Sequence, residues 1–471
     1  MTTKRTHSVC CHPVPDPDPH RRRRCRHSLP GLDPAQQEKE TLVTTHLTKT
    51  RRAQTTGALA AGAALTLTLS ACAGSAGGGG GGEGGGDGFE YGADQSEVDE
   101  LIKDLDPVTI KYQPSSASAQ SVMAPTGTVF KEIVEERSGG KITVDIVWGQ
   151  AIASYAEVHD ALADGRVDMA YTLPGYFPDE FPVIDAIGTA MADQPASPFA
   201  GELVTNAVGS DIAWQIPEAL EEYESKGLVP LTPFAASGGY YNVCAEPTSS
   251  ADDWKGRQIR IASQAQAAQV TKLGGSPVSL PYPETYEALQ RGTVDCTLGQ
   301  LVPSAESGIF DVAPNLGYTT DHSFSRTAGA YLAGQKFKEL PLAYQQIIFD
   351  SNALATSGGM KAVIDGNADA ISQAKAAGGE VKPFDDDVQE TVGEYSQELI
   401  KQAVSDGKLS QENIDAIAEA TKRQQRAVED LGYVDDGETG DFDEWYNTDT
   451  DYTDFAKHNY ENGKAMEHRP S

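Results

Sequence analysis

A twelve-residue pattern occurs twice in this chain, and that repeat constrains the fold more than any other feature. Residues 157–168 read E-V-H-D-A-L-A-D-G-R-V-D and residues 284–295 read E-T-Y-E-A-L-Q-R-G-T-V-D. Six positions are identical at an offset of 127: Glu157/Glu284, Ala161/Ala288, Leu162/Leu289, Gly165/Gly292, Val167/Val294 and Asp168/Asp295. Upstream of each copy stands a glycine pair and a short apolar run, Gly139-Gly140 before 142–147 and Gly274-Gly275 before 277–280. Two helix–stop–strand units can coincide by chance, because glycine commonly ends a helix. The alternative is a pair of similar α/β lobes built from one sub-motif. The second copy lies in a stretch, 254–300, that alternates strand-like runs (258–262, 277–280, 294–298) with helical patterns (264–273, 284–291). That alternation is the grammar of a parallel sheet with crossover helices.

The rest of the body continues in kind. Residues 108–112 and 142–147 read as strands around a helix over 122–137, and a helix at 153–163 precedes a strand at 167–172. Pro174, Pro178 and Pro182 then break the chain into a loop rich in aromatics, among them Tyr176. A helix is expected over 198–224, a strand over 228–234, and returning strands between 318 and 332. The Pro-free region 342–377 suits a long helix, with a bend expected at Gly358-Gly359. Amphipathic helices at 387–405 and 411–431 follow. Residues 435–471 hold 11 acidic and 3 basic residues. They lack the glycine and closing Glu of an EF-hand loop, so a solvated acidic tail is expected rather than a calcium site.

The ends of the chain differ from its body. Residues 1–50 show no apolar periodicity; Cys10, Cys11, His12, His20, Cys25 and His27 fit no standard zinc spacing, and the true leader begins near Val43 on this reading. Arg51-Arg52 precede a 13-residue apolar run, 57–69, shorter than the roughly 20 residues needed to span a bilayer and suited to a secretory signal. It ends in Leu69-Ser70-Ala71-Cys72, which resembles the bacterial lipoprotein signal with Cys72 as the lipidated residue; simple cleavage with a free Cys72 is the rival. A glycine-rich tether follows, with a mean reach on the order of 20 Å. The whole chain carries a formal charge of −32; the first 71 residues hold 11 Lys and Arg against 5 Asp and Glu, leaving 26 against 64 beyond them. So acidic a surface repels nucleic acid and anionic lipid, and suits solubility at high salt, where the Debye length falls to about 3 Å at 1 M. Only Cys244 and Cys296 remain in the body; they are free to pair in an oxidising compartment, and spacing alone does not decide it.

Open α/β sheets bind ligands beyond the carboxyl ends of their strands. That rule nominates Ser115, Ser116 and Ser118, then Trp148 and Gln150, then Tyr176, then Ser263 and Gln264, and lastly Gly299 and Gln300. Ser263 is equally placed to cap its own helix, and Trp148 and Tyr176 can be cleft wall or core. Nothing resembles an enzyme's equipment: there is no G-x-S-x-G or H-E-x-x-H, and the body's histidines, His159, His322, His458 and His468, stand far apart. No cofactor and no metal is expected.

From about 108 to 431 the order of parts resembles the solute-binding proteins of TRAP transporters, the dicarboxylate-binding DctP type. The resemblance rests on S-G-G-K-I-T-V-D-I-V-W-G-Q, A-L-A-D-G-R-V-D-M, W-K-G-R-Q-I-R-I, E-T-Y-E-A-L-Q-R-G-T-V-D and F-K-E-L-P-L-A-Y-Q-Q-I-I-F-D. It implies a two-lobed, periplasmic-binding-protein-like clam with a long helix spanning both lobes, lipid-anchored on the extracytoplasmic face. It implies capture of a small organic acid for a sodium-coupled permease with small and large membrane subunits. The expected organisation is a leader (1–71), tether (72–106), lobe I (107–234), lobe II (235–324), return strands and long helices (325–432) and tail (433–471). The family's carboxylate-gripping arginine falls on Arg260. The chemistry agrees, since guanidinium is a planar fork matched to a carboxylate; a salt bridge to one of the many acidic neighbours is the bland reading. Where many members carry a second arginine, near Tyr240, and Q-E-N-P after the V-D strand, this chain has G-G-Y-Y-N and C-T-L-G-Q, so a monocarboxylate with an apolar or aromatic body is the expected ligand. A receptor for an ABC importer or a sensor kinase, or a secreted α/β enzyme, are the competing readings.

Overall fold

The computed structural model describes residues 86–236 and 238–471; the expected leader, the Cys72 lipidation site and most of the glycine-rich tether lie outside these. Eleven strands form two sheets among the described residues. The first holds β1 (Val108–Gln113), β2 (Ile142–Ile146), β3 (Met169–Thr172), β4 (Leu228–Ala236) and β10 (Ala328–Gly334) in the order β2-β1-β3-β10-β4. The second holds β5 (Tyr241–Cys244), β6 (Gln258–Ile261), β7 (Ser276–Ser279), β8 (Cys296–Gly299), β9 (Asn315–Tyr318) and β11 (Val381–Pro383) in the order β11-β9-β5-β8-β6-β7. Each sheet is the centre of one lobe. The chain crosses between them after β4, between β9 and β10, and again between β10 and β11.

The sequence repeat is a structural repeat. β1, β2 and β3 pair in parallel with β1 in the middle, and β6, β7 and β8 do the same around β6. In each copy the glycine ends the helix at positive φ, Gly165 at 76° and Gly292 at 66°, a region L side chains avoid. The repeated aspartate has one job in both: Asp168 Oδ2 accepts from the Lys111 N–H at 2.9 Å, and Asp295 Oδ2 from the Gln258 N–H at 2.8 Å. Each carboxylate thus pins the strand it precedes to the neighbouring central strand. Val167, Val294, Ala161, Leu162 and Leu289 are buried, so most of the repeated pattern is core and pin rather than ligand chemistry.

Several elements differ from expectation. The helix expected over 198–224 is two, Ala200–Gln215 and Pro217–Glu224, because Pro217 lacks an N–H and starts a new first turn. The long region breaks between Leu342–Leu354 and Thr356–Ala376 at Ala355, not at Gly358-Gly359. Those glycines serve close packing instead: a Cβ on Gly358 would meet Val129 Cγ2 at 2.6 Å. Thr356–Ala376 is the helix that spans both lobes, packing on Pro125–Arg137 of the first and Leu301–Glu306 of the second.

The acidic C-terminal segment is not a solvated tail. Phe442, Tyr452, Phe455 and Tyr460 are buried, and their aromatic area outweighs the charge around them. Gly440 N–H donates to the Tyr318 hydroxyl at 3.2 Å, Lys375 pairs with Asp443 at 2.7 Å, and the Tyr446 hydroxyl donates to Asp365 at 2.6 Å. Further on, Arg469 grips Asp350 with two bonds of 2.8 and 3.0 Å and donates to the Phe89 carbonyl, while His468 stacks on Trp214. The segment therefore runs from β9 of the second lobe, along the spanning helix, to the first. Cys244 and Cys296 stand directly opposite across β5 and β8 and are joined by a disulfide.

Candidate functional site

A cavity of about 660 Å³ opens between the two sheets. β1, β3 and β10 of the first lobe present Tyr112, Tyr171 and Tyr331 to it; the second lobe presents Arg260 from β6, Tyr282 from just beyond β7, and Gln300 from the end of β8. Tyr240, on the crossing between lobes, and Gly359, Met360, Val363 and Asn367 of the spanning helix close the side.

Arg260 is the centre of the site's electrostatics. It sits in β6 with only 2% of its surface exposed. Its Nε donates to the Leu280 carbonyl at 3.1 Å, and its guanidinium lies 5.0 Å from the centre of the Tyr282 ring. Among the described residues no carboxylate pairs with it, so the bland reading of a strand-end salt bridge does not describe this side chain. The other buried arginine, Arg326, is conventionally matched, with both oxygens of the buried Glu202 at 3.0–3.1 Å. A buried cation without an anion is costly; the neutral Tyr176 hydroxyl is hydrogen-bonded to this one, and the side chain lines the cavity.

The other lining groups are mostly neutral. Burial pushes the phenols of Tyr155, Tyr171, Tyr176 and Tyr282 above their ordinary range and that of Tyr331 up to about 12; the Arg260 guanidinium partly offsets this at Tyr176 and Tyr282. The rings stay protonated, offering hydroxyl donors and electron-rich faces. Tyr240 donates to Thr327 Oγ1 at 2.8 Å, and the Tyr282 and Ser304 hydroxyls are hydrogen-bonded at 2.8 Å. Gln150 is the sole non-glycine residue at positive φ among the described residues, at 58°. Holding it there costs roughly 1 kcal/mol. The buried Gln113 offsets that cost by bonding Ile152 N, Ala153 N and Ala153 O, while the Gln150 amide oxygen accepts from Tyr155 N at 3.0 Å.

Of the residues nominated from sequence, Ser115, Gln150, Tyr176, Arg260 and Gln300 line this one cavity, as does Tyr240 at the position where many family members carry a second arginine. Ser118, Trp148 and Gln264 do not. Ser118 Oγ accepts from Gln120 N within its own turn, and the Trp148 ring packs beside Gly127. Gln264 is the exposed first residue of its helix, and Ser263 is the cap that accepts from Gln266 N at 3.2 Å. Tyr155, Tyr171, Tyr282 and Tyr331 went unnominated. The strand-end rule could have found Tyr282, three residues past β7; Tyr331 arrives on an antiparallel strand to which the rule does not apply. The histidines are scattered: His159 packs against Phe177 and Phe181, His322 lies 3.8 Å from Asp193, and His468 covers Trp214.

Two α/β lobes joined by crossing strands and a spanning helix, with one guanidinium that no carboxylate pairs in the cleft between them, define a solute-binding protein. The chain belongs to the bacterial extracellular solute-binding proteins of family 7, DctP, whose family model matches residues 115–406. The ectoine-binding periplasmic protein TeaA of Halomonas elongata is 29% identical over 185 residues, 35% of this chain and 53% of that protein. The chain thus spans about half the length of that relative. The C4-dicarboxylate-binding protein DctB of Bacillus subtilis is 25% identical over 214 residues, 44% of this chain and 55% of that one. Two solved structures share the fold. The sugar acid binding protein DctPAm of Advenella mimigardefordensis, in complex with galactonate, has a TM-score of 0.56 at 22% identity, covering 68% of this chain and 100% of its own. A marine metagenome TRAP solute binding protein specific for aromatic acid ligands has a TM-score of 0.57 at 20% identity, covering 68% and 99%. No helix among the described residues is long and apolar enough to cross a membrane.

Proposed function

We propose that this protein captures a small organic acid bearing one carboxylate, outside the cytoplasm, and delivers it to a TRAP-type permease of small and large membrane subunits. The observation that carries the reading is the buried, anion-free guanidinium of Arg260. A carboxylate entering the cleft supplies the missing charge, and the tyrosines and amides around it receive the rest of the molecule. Ser115, Gln150 and Tyr176 from one lobe and Arg260, Tyr240 and Gln300 from the other or from the crossing would all reach it, so the closed form binds best and the ligand drives closure. Among the described residues the other cation lining the cavity, Lys464, is already paired with Glu467 at 2.6 Å, which favours a monoacid with a ring or apolar body over a diacid. Galactonate, 3-hydroxybenzoate and succinate, bound by structural relatives, all carry a carboxylate. The Cys244–Cys296 disulfide suits an oxidising compartment, and lipid on Cys72 would keep the domain at the membrane face.

Calorimetric titration of the full chain with matched monoacids, diacids and methyl esters tests this. Monoacids should bind, diacids more weakly, and esters not at all, with every compound recovered chemically unchanged. Equal binding of an acid and its ester would sink the carboxylate grip.

A further inference from the structure

Where the lobes meet beside the spanning helix, one carboxylate reaches across the seam. Glu306 ends the helix Leu301–Glu306, which follows β8 in the second lobe. Its Oε1 accepts from the Ser121 hydroxyl and, at 3.0 Å, from the Val122 N–H. Both partners lie in the turn that leads into Pro125–Arg137 of the first lobe. The same two elements also converge on one glycine. A Cβ on Gly366 of the spanning helix would meet Val302 Cγ2 at 2.6 Å and Val122 Cγ1 at 3.0 Å. Among the described residues both hydrogen bonds of the Glu306 carboxylate cross the seam, so they exist only while the lobes are together.

We propose that Glu306 is a clasp that holds the closed form, with Gly366 as the bare spot that lets the two halves of the clasp seat on the spanning helix. The proposal rests on the two-lobed closure described above, and it adds that part of the closing energy is built into the protein rather than supplied by the captured acid. Two exposed bonds to one carboxylate oxygen shift such an equilibrium by about three- to tenfold. Because a single oxygen accepts both donors, Glu306→Gln can keep the clasp and Glu306→Ala cannot.

The test uses the full chain with no acid added, so its outcome is independent of Arg260 and of the ligand's identity. Hydrogen exchange reports on the Val122 amide and small-angle scattering reports on lobe separation, with unchanged melting temperature as the check on folding. The expected result is that Glu306→Ala exchanges Val122 about three- to tenfold faster and scatters as a more open particle. Glu306→Gln should stay near the parent, and Gly366→Val, which wedges the seam without touching the carboxylate, should also open the particle. If Glu306→Ala gives faster exchange but a scattering curve superimposable on the parent, the carboxylate is only a local cap and the clasp is refuted. A Gln variant as open as the Ala variant overturns the acceptor argument.

Discussion

Replacing Arg260 by Met tests the electrostatic reasoning from two directions at once. In the liganded protein the guanidinium and a carboxylate would face each other in a site where Arg260 is 2% exposed. Removing one partner of such a desolvated pair costs about 3–5 kcal/mol, or roughly two to four orders of magnitude in Kd. In the free protein the sign reverses. Arg260→Met gives up the 3.1 Å bond to the Leu280 carbonyl, the bond with the Tyr176 hydroxyl and the contact with the Tyr282 ring, each worth on the order of 1 kcal/mol. It also removes a buried cation that has no carboxylate beside it, a burden of several kcal/mol. Met fills much the same volume, so no large cavity is left. The free variant should therefore be as stable as the parent, or more stable by about 1–3 kcal/mol, while capture is lost. Titration calorimetry with the tightest acid and urea unfolding without it measure the two halves. A variant that binds that acid within a few-fold of the parent, or that loses several kcal/mol of stability when free, would refute the account.

Three other outcomes follow from the structure. His159, packed between Phe177 and Phe181 with Nε2 unpartnered, has its pKa depressed to about 4 by burial. The unfolded chain takes up that proton near pH 6.5, so stability should fall between about pH 6.5 and 4, by on the order of 2–3 kcal/mol, and level off below; His159→Phe should flatten this slope in pH-dependent urea melts. With 26 basic against 64 acidic residues beyond residue 71, the field opposes an incoming anion, so stopped-flow association should quicken, and the unfolding midpoint rise, as salt increases. Asp168→Ala and Asp295→Ala should each cost on the order of 1 kcal/mol in chemical denaturation, and the double variant should show the sum, because the two pins lie in different sheets.

What the sequence disclosed was periodicity and local chemistry. The repeat ending in Asp168 and Asp295 told of twin sheets because each copy is one complete strand–helix–strand unit whose signals are all local. Arg260 was legible because W-K-G-R-Q-I-R-I resembles the family motif whose arginine grips a carboxylate, and a planar guanidinium suits that task. What escaped depended on partners far along the chain. Tyr171 and Tyr331 face the cavity together only because β3 and β10, some 160 residues apart, pair antiparallel in that register. Gly358-Gly359 looked like a hinge, yet glycine in a helix can equally mark a close approach, and only Val129 says which. Ser118 and Gln264 sit at strand ends as the rule requires, but a turn bond and an outward helix face take them out of the cleft. The C-terminal acids hid the burial of the segment, since charge is counted residue by residue whereas docking is decided by the few rings of Phe442, Tyr452, Phe455 and Tyr460.

The grip of Arg469 on Phe89 and Asp350 ties both ends of the folded body to one spot on the first lobe. A pull transmitted through whatever precedes residue 86 is thus taken up by helix Leu342–Leu354 and its sheet, not by the crossings between lobes. Movement of the second lobe would then leave the point where residue 86 emerges in place, and a probe fused after Ser471 would ride with the first lobe.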